Sequence, residues 1–309
     1  MGSLHRPRHG SLQFWPRVRA NREVPSVNWR ALDNAQAKNK LLGYIGYKVG
    51  MISVLVKDNT ANSMTKGKSI VMPSTLVELP PVKIYSIKLY KNRQVVGEII
   101  SSSLEKELKR KIIMPKQSKN VEKDFDDVRI LVYSIVKKTG IKKTPNMCEI
   151  GLKGNAQEKL EFAKTLLNRE INFDEFFDKN QIVDIHAVTK GKGFQGPVKR
   201  YGITYRPHKS EKGVRKVGSI GPWHPARVTF RVPMAGQLGY FTRVQYNNKI
   251  LNLGKEMQSE FQHYGKLKTN YAIIKGSIQG PAKRAVVLTS SLRPTKGAAK
   301  ENFEFVKIL

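Results

Sequence analysis

Between Val188 and Arg231 the chain carries eleven lysines and arginines, one carboxylate (Glu211) and seven glycines, with little apolar periodicity. A segment of that composition cannot bury enough apolar surface to offset the entropy lost on ordering. It reads as an extended arm that folds against a ligand, not as part of a core. A net charge of +10 in 44 residues also demands a counter-charge. Aromatic residues are interleaved with the cations: Phe194, Tyr201, Tyr205, Trp223, Phe230, Tyr240 and Phe241. Guanidinium and ammonium groups hold phosphates and aromatic rings stack on unpaired bases, so this pattern points to structured RNA.

The remainder agrees in sign. The 309 residues have a formal net charge of +32. A compact fold with that charge repels itself and calls for a polyanionic partner. Nucleic acid is the commonest, because phosphate neutralisation releases counterions. An anionic membrane is the rival, but no apolar run approaches the ~18 residues of a spanning helix. The N-terminus lacks the apolar core of a signal peptide, and Arg6 stands where a myristoylation motif needs Ser or Thr. A soluble, intracellular chain is expected. Cys148 is the only cysteine, which excludes an internal disulfide and a cysteine-based zinc site. It is expected to be a small buried apolar residue.

Residues 1–40 are basic and aperiodic and read as a non-globular N-terminal extension. Leu41–Lys57 reads as two strands punctuated by Gly43, Gly46 and Gly50. Ser69–Met72 and Leu76–Leu79 read as short strands around Pro73. Val82–Tyr90 alternates, with a phase slip between Tyr85 and Ser86 that predicts a bulge. Val95–Ile100 is another strand. Residues 101–180 hold seventeen basic and thirteen acidic residues, an ordinary mixed surface. There, Leu104–Ile113 is a charged helix candidate and Val128–Val136 a buried strand. Asn155 is a candidate N-cap for a helix through Leu167, with Leu160, Ala163 and Leu167 on one stripe. Asn172 or Asp174 starts a shorter helix through Phe177. Ile182–Val188 is a strand leading into the arm; Tyr271–Lys275 and Ala285–Leu288 are later strands. Short strands at both ends of the chain, with a helical block between, predict a mainly β fold. The expected plan is a small closed β-barrel over 41–100 and 181–309, an α/β insertion over 101–180, and a glycine-rich finger over 188–245.

Several motifs point elsewhere and fail on context. Gly191–Gly196 matches G-x-G-x-x-G after a strand, and Val198 extends the match to the glycine loop of kinases. A dinucleotide site needs a helix to begin there, and Pro197, Gly202 and Pro207 argue against one. A kinase needs Asp-Phe-Gly and a catalytic Asp loop, which do not occur. Close approach of backbone to a sugar–phosphate chain fits the glycines better, with Lys190, Lys192, Lys199 and Arg200 supplying charge. The six histidines form no metal-ligand pair on a helix: His5 and His9 flank Pro7, and His208 and His224 lie in the arm. Carboxylates are scarce outside the insertion, so acid–base catalysis has little material.

Specific strings then become recognisable. Lys190–Tyr201 (KGKGFQGPVKRY) and Arg215–Val228 (RKVGSIGPWHPARV) resemble the signature of the universal large-subunit ribosomal protein L3 family. The segments Arg6–Leu12 (RPRHGSL), Tyr44–Ile52 (YIGYKVGMI), Met234–Tyr240 (MAGQLGY) and Gly276–Arg284 (GSIQGPAKR) are similar to its other landmarks and follow in its order. The style is archaeal. The resemblance implies a translation-factor-like barrel with an α/β insertion, and a finger and N-terminal extension threaded into 23S rRNA. It implies that Trp223 lies near the finger tip, toward the peptidyl transferase centre. It further implies early assembly, neighbours such as the L14 family, a cytoplasmic ribosome-bound location, and neither membrane nor homo-oligomer. Glu211 stands where eukaryotic relatives carry a methylatable histidine, so that modification is not carried over. Gln279 stands where relatives often carry proline, which is expected to loosen the turn.

The expected role is non-enzymatic, with no cofactor beyond magnesium ions that structured rRNA itself holds. Arg6, Arg8, Lys190, Lys192, Lys199, Arg200, Arg206, Lys209, Lys212, Arg215, Lys216, Arg227 and Arg231 are expected at phosphates. His9, His208, His224, Arg243, Lys283 and Arg284 are expected at RNA with them, and Trp223 in or beside an RNA pocket. Two other classes compete: an RNA-modifying enzyme, which would need a cofactor loop or carboxylate pair, and a chromosome-coating protein, which would prefer duplex DNA.

Overall fold

The computed structural model describes residues 10–11, 13–33, 39–114 and 124–309. Arg6, Arg8 and His9 therefore lie outside the described residues. The chain divides into two compact units. A basic unit comprises the described residues up to Asn21 with Thr189–Thr242; a sheet unit comprises Arg22–Val188 with Arg243–Leu309.

In chain order the sheet unit begins with α1 (Trp29–Asp33), β1 (Gly43–Asp58), β2 (Ser69–Glu78), β3 (Val82–Lys91), β4 (Gln94–Ile100) and β5 (Asp127–Ser134). It continues with α2 (Val136–Thr139), β6 (Met147–Gly151), α3 (Ala156–Leu166) and β7 (Ile182–Val188). The basic unit supplies β8 (Gly191–Gln195), α4 (Pro197–Tyr201) and β9 (Gly236–Gly239). Then follow β10 (Thr242–Gly254), β11 (Met257–Phe261), β12 (Gly265–Leu267), β13 (Tyr271–Lys275), β14 (Ala285–Ser290), α5 (Lys296–Lys300) and β15 (Phe303–Ile308).

The fold is mainly β. Its principal sheet has the order β14-β7-β10-β13-β2-β1-β15, and β14 pairs with β1 as well. A second sheet has the order β4-β3-β5-β6, with α3 packed on β5. β3 pairs with β4 and with β5, so the second sheet joins strands on both sides of residue 100.

β1 is one sixteen-residue strand, not two. Two of its three glycines are there for packing. A Cβ on Gly43 would stand 2.6 Å from the Trp29 ring, and one on Gly46 would stand 2.8 Å from Leu79 and Val77. β2 likewise runs through Pro73, opposite Ser53 of β1. The Pro73 carbonyl accepts from Gly276 N at 2.9 Å, so its nitrogen faces the same side, where β13 has ended at Lys275. A proline is tolerated there because no ladder donor is lost. The phase slip in β3 is a true register shift between Ile84 and Ser86.

The expected helix over Leu104–Ile113 reduces to a 3-10 turn, Lys106–Arg110, around the one buried apolar side chain, Leu108. α3 starts as expected at an Asn155–Glu158 capping box, but its buried stripe is Lys159, Ala163 and Leu166. Lys159 can be buried because its ammonium lies 2.5 Å from Asp33 and 2.8 Å from Asp127. The helix expected from Asn172 is a 3-10 turn over Phe173–Glu175, capped by Asn172.

The two sheets share one core. Tyr44 of β1 places its hydroxyl 2.8 Å from the Pro80 carbonyl and 3.0 Å from that of Ile171, and its ring meets Phe173 edge-on at 5.2 Å. Tyr47 donates to Asn146 Oδ1 at 2.8 Å and pairs with Ser134 Oγ at 2.6 Å. Each fully buried aliphatic or aromatic side chain here contributes about 1.5–3 kcal/mol. Glu78 is wholly buried, and accepts from Lys268 N at 3.1 Å, Thr269 N at 3.2 Å, Thr269 Oγ1 at 3.0 Å and the Tyr264 hydroxyl. Burial and this carboxylate raise the Tyr264 phenol well above its ordinary range. Cys148 is buried as expected, and burial pushes its thiol up to about 12.

Candidate nucleic-acid interface

The basic unit is built on a short ribbon. β8 and β9 pair Gly191 with Gly239, Phe194 with Gln237 and Gln195 with Gly236. Gly239 has φ +71°, and a Cβ there would lie 1.9 Å from the Lys190 carbonyl, so only glycine permits this crossing. Ala20 N donates to Tyr240 O at 2.8 Å, which ties the N-terminal segment to the strand that returns from the loop.

A one-turn helix, α4, does begin directly after the glycine-rich string, where none was expected. Pro197 stands in its first turn, where its missing N–H costs nothing. Gly202 closes it in the left-handed region at φ 69°. One turn is too short to build the dipole of a nucleotide site. Its function is to aim Arg200 inward. Arg200 Nε donates to Gln237 O at 3.0 Å and Nη1 to Met234 O at 2.8 Å.

Residues 203–235 contain no helix or strand. Their order comes from hydrogen bonds across the loop that involve both main chain and side chains. Arg206 N donates to Val214 O at 3.0 Å, and its guanidinium donates to the Val217 carbonyl. Arg215 donates to the Tyr205 hydroxyl, with its guanidinium carbon 5.1 Å from the centre of that ring. Residues 218–231 are all exposed. Trp223, between Pro222 and His224, is 86% exposed, and Phe194 is 77% exposed. Hydrophobic rings of that size held in water mark a surface that meets something else.

The predicted residues fall into three groups. Lys190, Lys192, Lys199, His208, Lys209, Lys212, Arg215, Lys216, His224, Arg227 and Arg231 are exposed in the basic unit. Arg200 and Arg206 are half-buried there and hold loop carbonyls as well as charge. Arg243, Lys283 and Arg284 belong to the sheet unit. There, Lys283 N donates to Lys48 O at 2.8 Å, and Lys48 N donates to Arg284 O at 3.0 Å. Of the aromatics, Phe241 is buried and is no stacking platform.

Sequence reasoning missed two features. The first is Lys48, whose buried ammonium donates to Ile278 O at 2.5 Å and Gly280 O at 3.0 Å. The turn expected to be loosened by Gln279 is therefore pinned from β1. The second is an array around Arg17, whose guanidinium carbon lies 5.3 Å from the Trp15 ring centre and 4.5 Å from that of Tyr201. The signal was present as Trp15-Pro16-Arg17, an aromatic beside a cation in a segment read only for its charge.

Electrostatically the unit is one-sided. Glu211 is its only carboxylate, so the cations cannot be neutralised internally. Cationic side chains and exposed rings can bind phosphates and bases, but they supply no acid–base pair. Among the described residues, no group of three or more His, Cys, Asp or Glu side chains could hold a metal ion, and no helix is long and apolar enough to cross a membrane.

The family model for ribosomal protein L3 matches residues 1–114 and 100–307. The large ribosomal subunit protein uL3 of Archaeoglobus fulgidus is 38% identical over 315 residues, covering 94% of this chain and 93% of that one. That of Methanocaldococcus jannaschii is 40% identical over 321 residues, covering 96% and 95%. That of Methanobrevibacter smithii is 39% identical over 315 residues, covering 94% and 93%.

Proposed function

The chain belongs to the ribosomal protein L3 family, a structural constituent of the ribosome and not an enzyme, and from that premise we propose that it binds and folds 23S rRNA in the large subunit. The basic unit is the RNA-facing finger. The observation that carries this reading is the exposed run 218–231, lined by cations and rings, in a unit with a single carboxylate. Lys190, Lys192, Lys199, Lys209, Lys212, Lys216, Arg227 and Arg231 meet phosphates, and Trp223 wedges beside an RNA loop toward the peptidyl transferase centre. A-form RNA hides its base edges, so recognition is of shape and of splayed loops.

The principal sheet forms the other unit. The succession β14-β7-β10-β13-β2-β1, in which the last strand pairs with the first, supports a closed translation-factor-like barrel. The protein joins early in assembly, sits beside neighbours such as the L14 family, and works ribosome-bound in the cytoplasm without cofactor. Sedimentation of a gentle lysate, followed by a high-salt wash of the large-subunit peak, tests this. One copy retained per washed subunit is the expected result. Protein at the top of the gradient, or lost in the wash, would leave the family relation as ancestry only.

A further inference from the structure

Resting on the RNA-binding reading, we infer that the groove walled by Trp15, Tyr201 and Phe230 takes a single unpaired nucleotide, its base against an exposed ring face and its phosphate against Arg17 and Arg200. The groove has a volume of about 450 Å³ and lies wholly within the basic unit, and Trp223 is not among its walls. Its walls are Trp15, Arg17, Arg200, Tyr201, Phe230 and Met234, among others. Trp15 meets Phe230 edge-on, with ring centres 5.0 Å apart and planes at 87°.

The cations are fixed before any ligand arrives. Arg17 is held between the rings of Trp15 and Tyr201 and donates to Ser11 O at 2.9 Å. Arg200 is anchored to two loop carbonyls and lies 5.2 Å from the Tyr201 ring centre. Rigid cations lose little entropy on binding. Phe230 is 66% exposed, and among the described residues no carboxylate lines the groove. A ligand that satisfies these walls needs a planar apolar part and an anionic part side by side. A nucleotide has both, and only one out of the helical stack can present its base face. The groove therefore selects a bulged or looped residue.

The test uses the full chain with Trp223→Phe, so that Trp15 is the tryptophan open to a ligand, Trp29 being 4% exposed. The probe is a short single-stranded oligoadenylate, followed by tryptophan emission, with binding of purified 23S rRNA by the unmutated chain measured alongside. Saturable quenching is expected. Adding Phe230→Ala should weaken the oligoadenylate about tenfold, the scale of one lost base–aromatic stack. Adding Arg17→Lys, which keeps the charge but not the planar stack, should weaken it several-fold. If 23S rRNA binds but Trp15 emission is unmoved, or Phe230→Ala binds oligoadenylate as tightly as its parent, the groove is not a nucleotide site and the wider RNA-binding reading stands. If oligoglutamate quenches the same emission and displaces oligoadenylate, the groove takes an acidic peptide and the inference fails. If 23S rRNA itself does not bind, the functional proposal fails and this inference with it.

Discussion

The Arg200 guanidinium donates through Nη1 to the main-chain carbonyl of Met234 at 2.8 Å, across 34 residues of sequence. One residue expected at phosphate is thus also the clasp of the loop it belongs to. Arg200→Ala should loosen the basic unit by about 1–3 kcal/mol, the range for charge-assisted hydrogen bonds. Hydrogen exchange in the free protein should quicken within 189–242 while the sheet unit keeps its protection. Unchanged exchange there would reduce Arg200 to a surface charge.

Glu78→Gln should destabilise the sheet unit by about 1–3 kcal/mol, because the hydrogen bonds to the carboxylate lose their charge assistance and the Tyr264 hydroxyl must turn from donor to acceptor. Tyr264, Lys268 and Thr269 all donate to this carboxylate. The urea midpoint should fall with an unchanged slope. A midpoint equal to wild type would mean that the cluster rearranges around the amide.

Burial lowers the His186 imidazole from 6.5 to about 4. As pH falls, the unfolded chain takes up this proton first, so the histidine's contribution is complete above pH 6.5 and is lost progressively toward pH 4. Asp184, raised by burial, acts in the opposite sense in acid. Comparison with His186→Gln isolates the histidine. The stability difference between wild type and variant should shrink on acidification through this window, and a flat difference would exclude His186 as its source.

Binding to 23S rRNA should weaken steeply with salt. Neutralisation of roughly ten phosphates gives a log–log slope of about −7 to −9. Replacing Lys209, Lys212 and Lys216 with alanine should reduce its magnitude by about 2–3. A wild-type slope shallower than about −3 would be incompatible with a finger laid along phosphates.

Trp223→Ala should leave the folding midpoint within about 0.5 kcal/mol, as expected of an exposed side chain. Its effect should appear in ribosomes, as altered tRNA accommodation or antibiotic sensitivity. Variant ribosomes that match wild type in both would make the tip passive.

Local rules were legible where one residue decides the outcome. Asn155 announces α3, the slip after Tyr85 announces a bulge, and the cationic block announces its own separation from the core. They failed where a distant side chain decides. Gly43 and Gly46 look like breakers until Trp29 and Leu79 occupy the space beside them. Pro73 looks like a strand end until β13 is seen to stop opposite it. Pro197 argued against a helix, although at a first turn it favours one. The array of Trp15, Arg17 and Tyr201 joins segments about 180 positions apart, beyond the reach of any window of sequence.

β1 is made long before two of its partners, β14 and β15. The carbonyls that receive Lys48 belong to Ile278 and Gly280, 230 and 232 positions later. For most of its own synthesis the chain therefore carries an open strand edge and an ammonium without its final acceptors. Completion of the principal sheet must wait until β14 and β15 have been made. A nascent chain halted after β13 would expose that edge to any strand at hand, and a cell that makes this protein in quantity must keep the edge covered until β14 and β15 arrive.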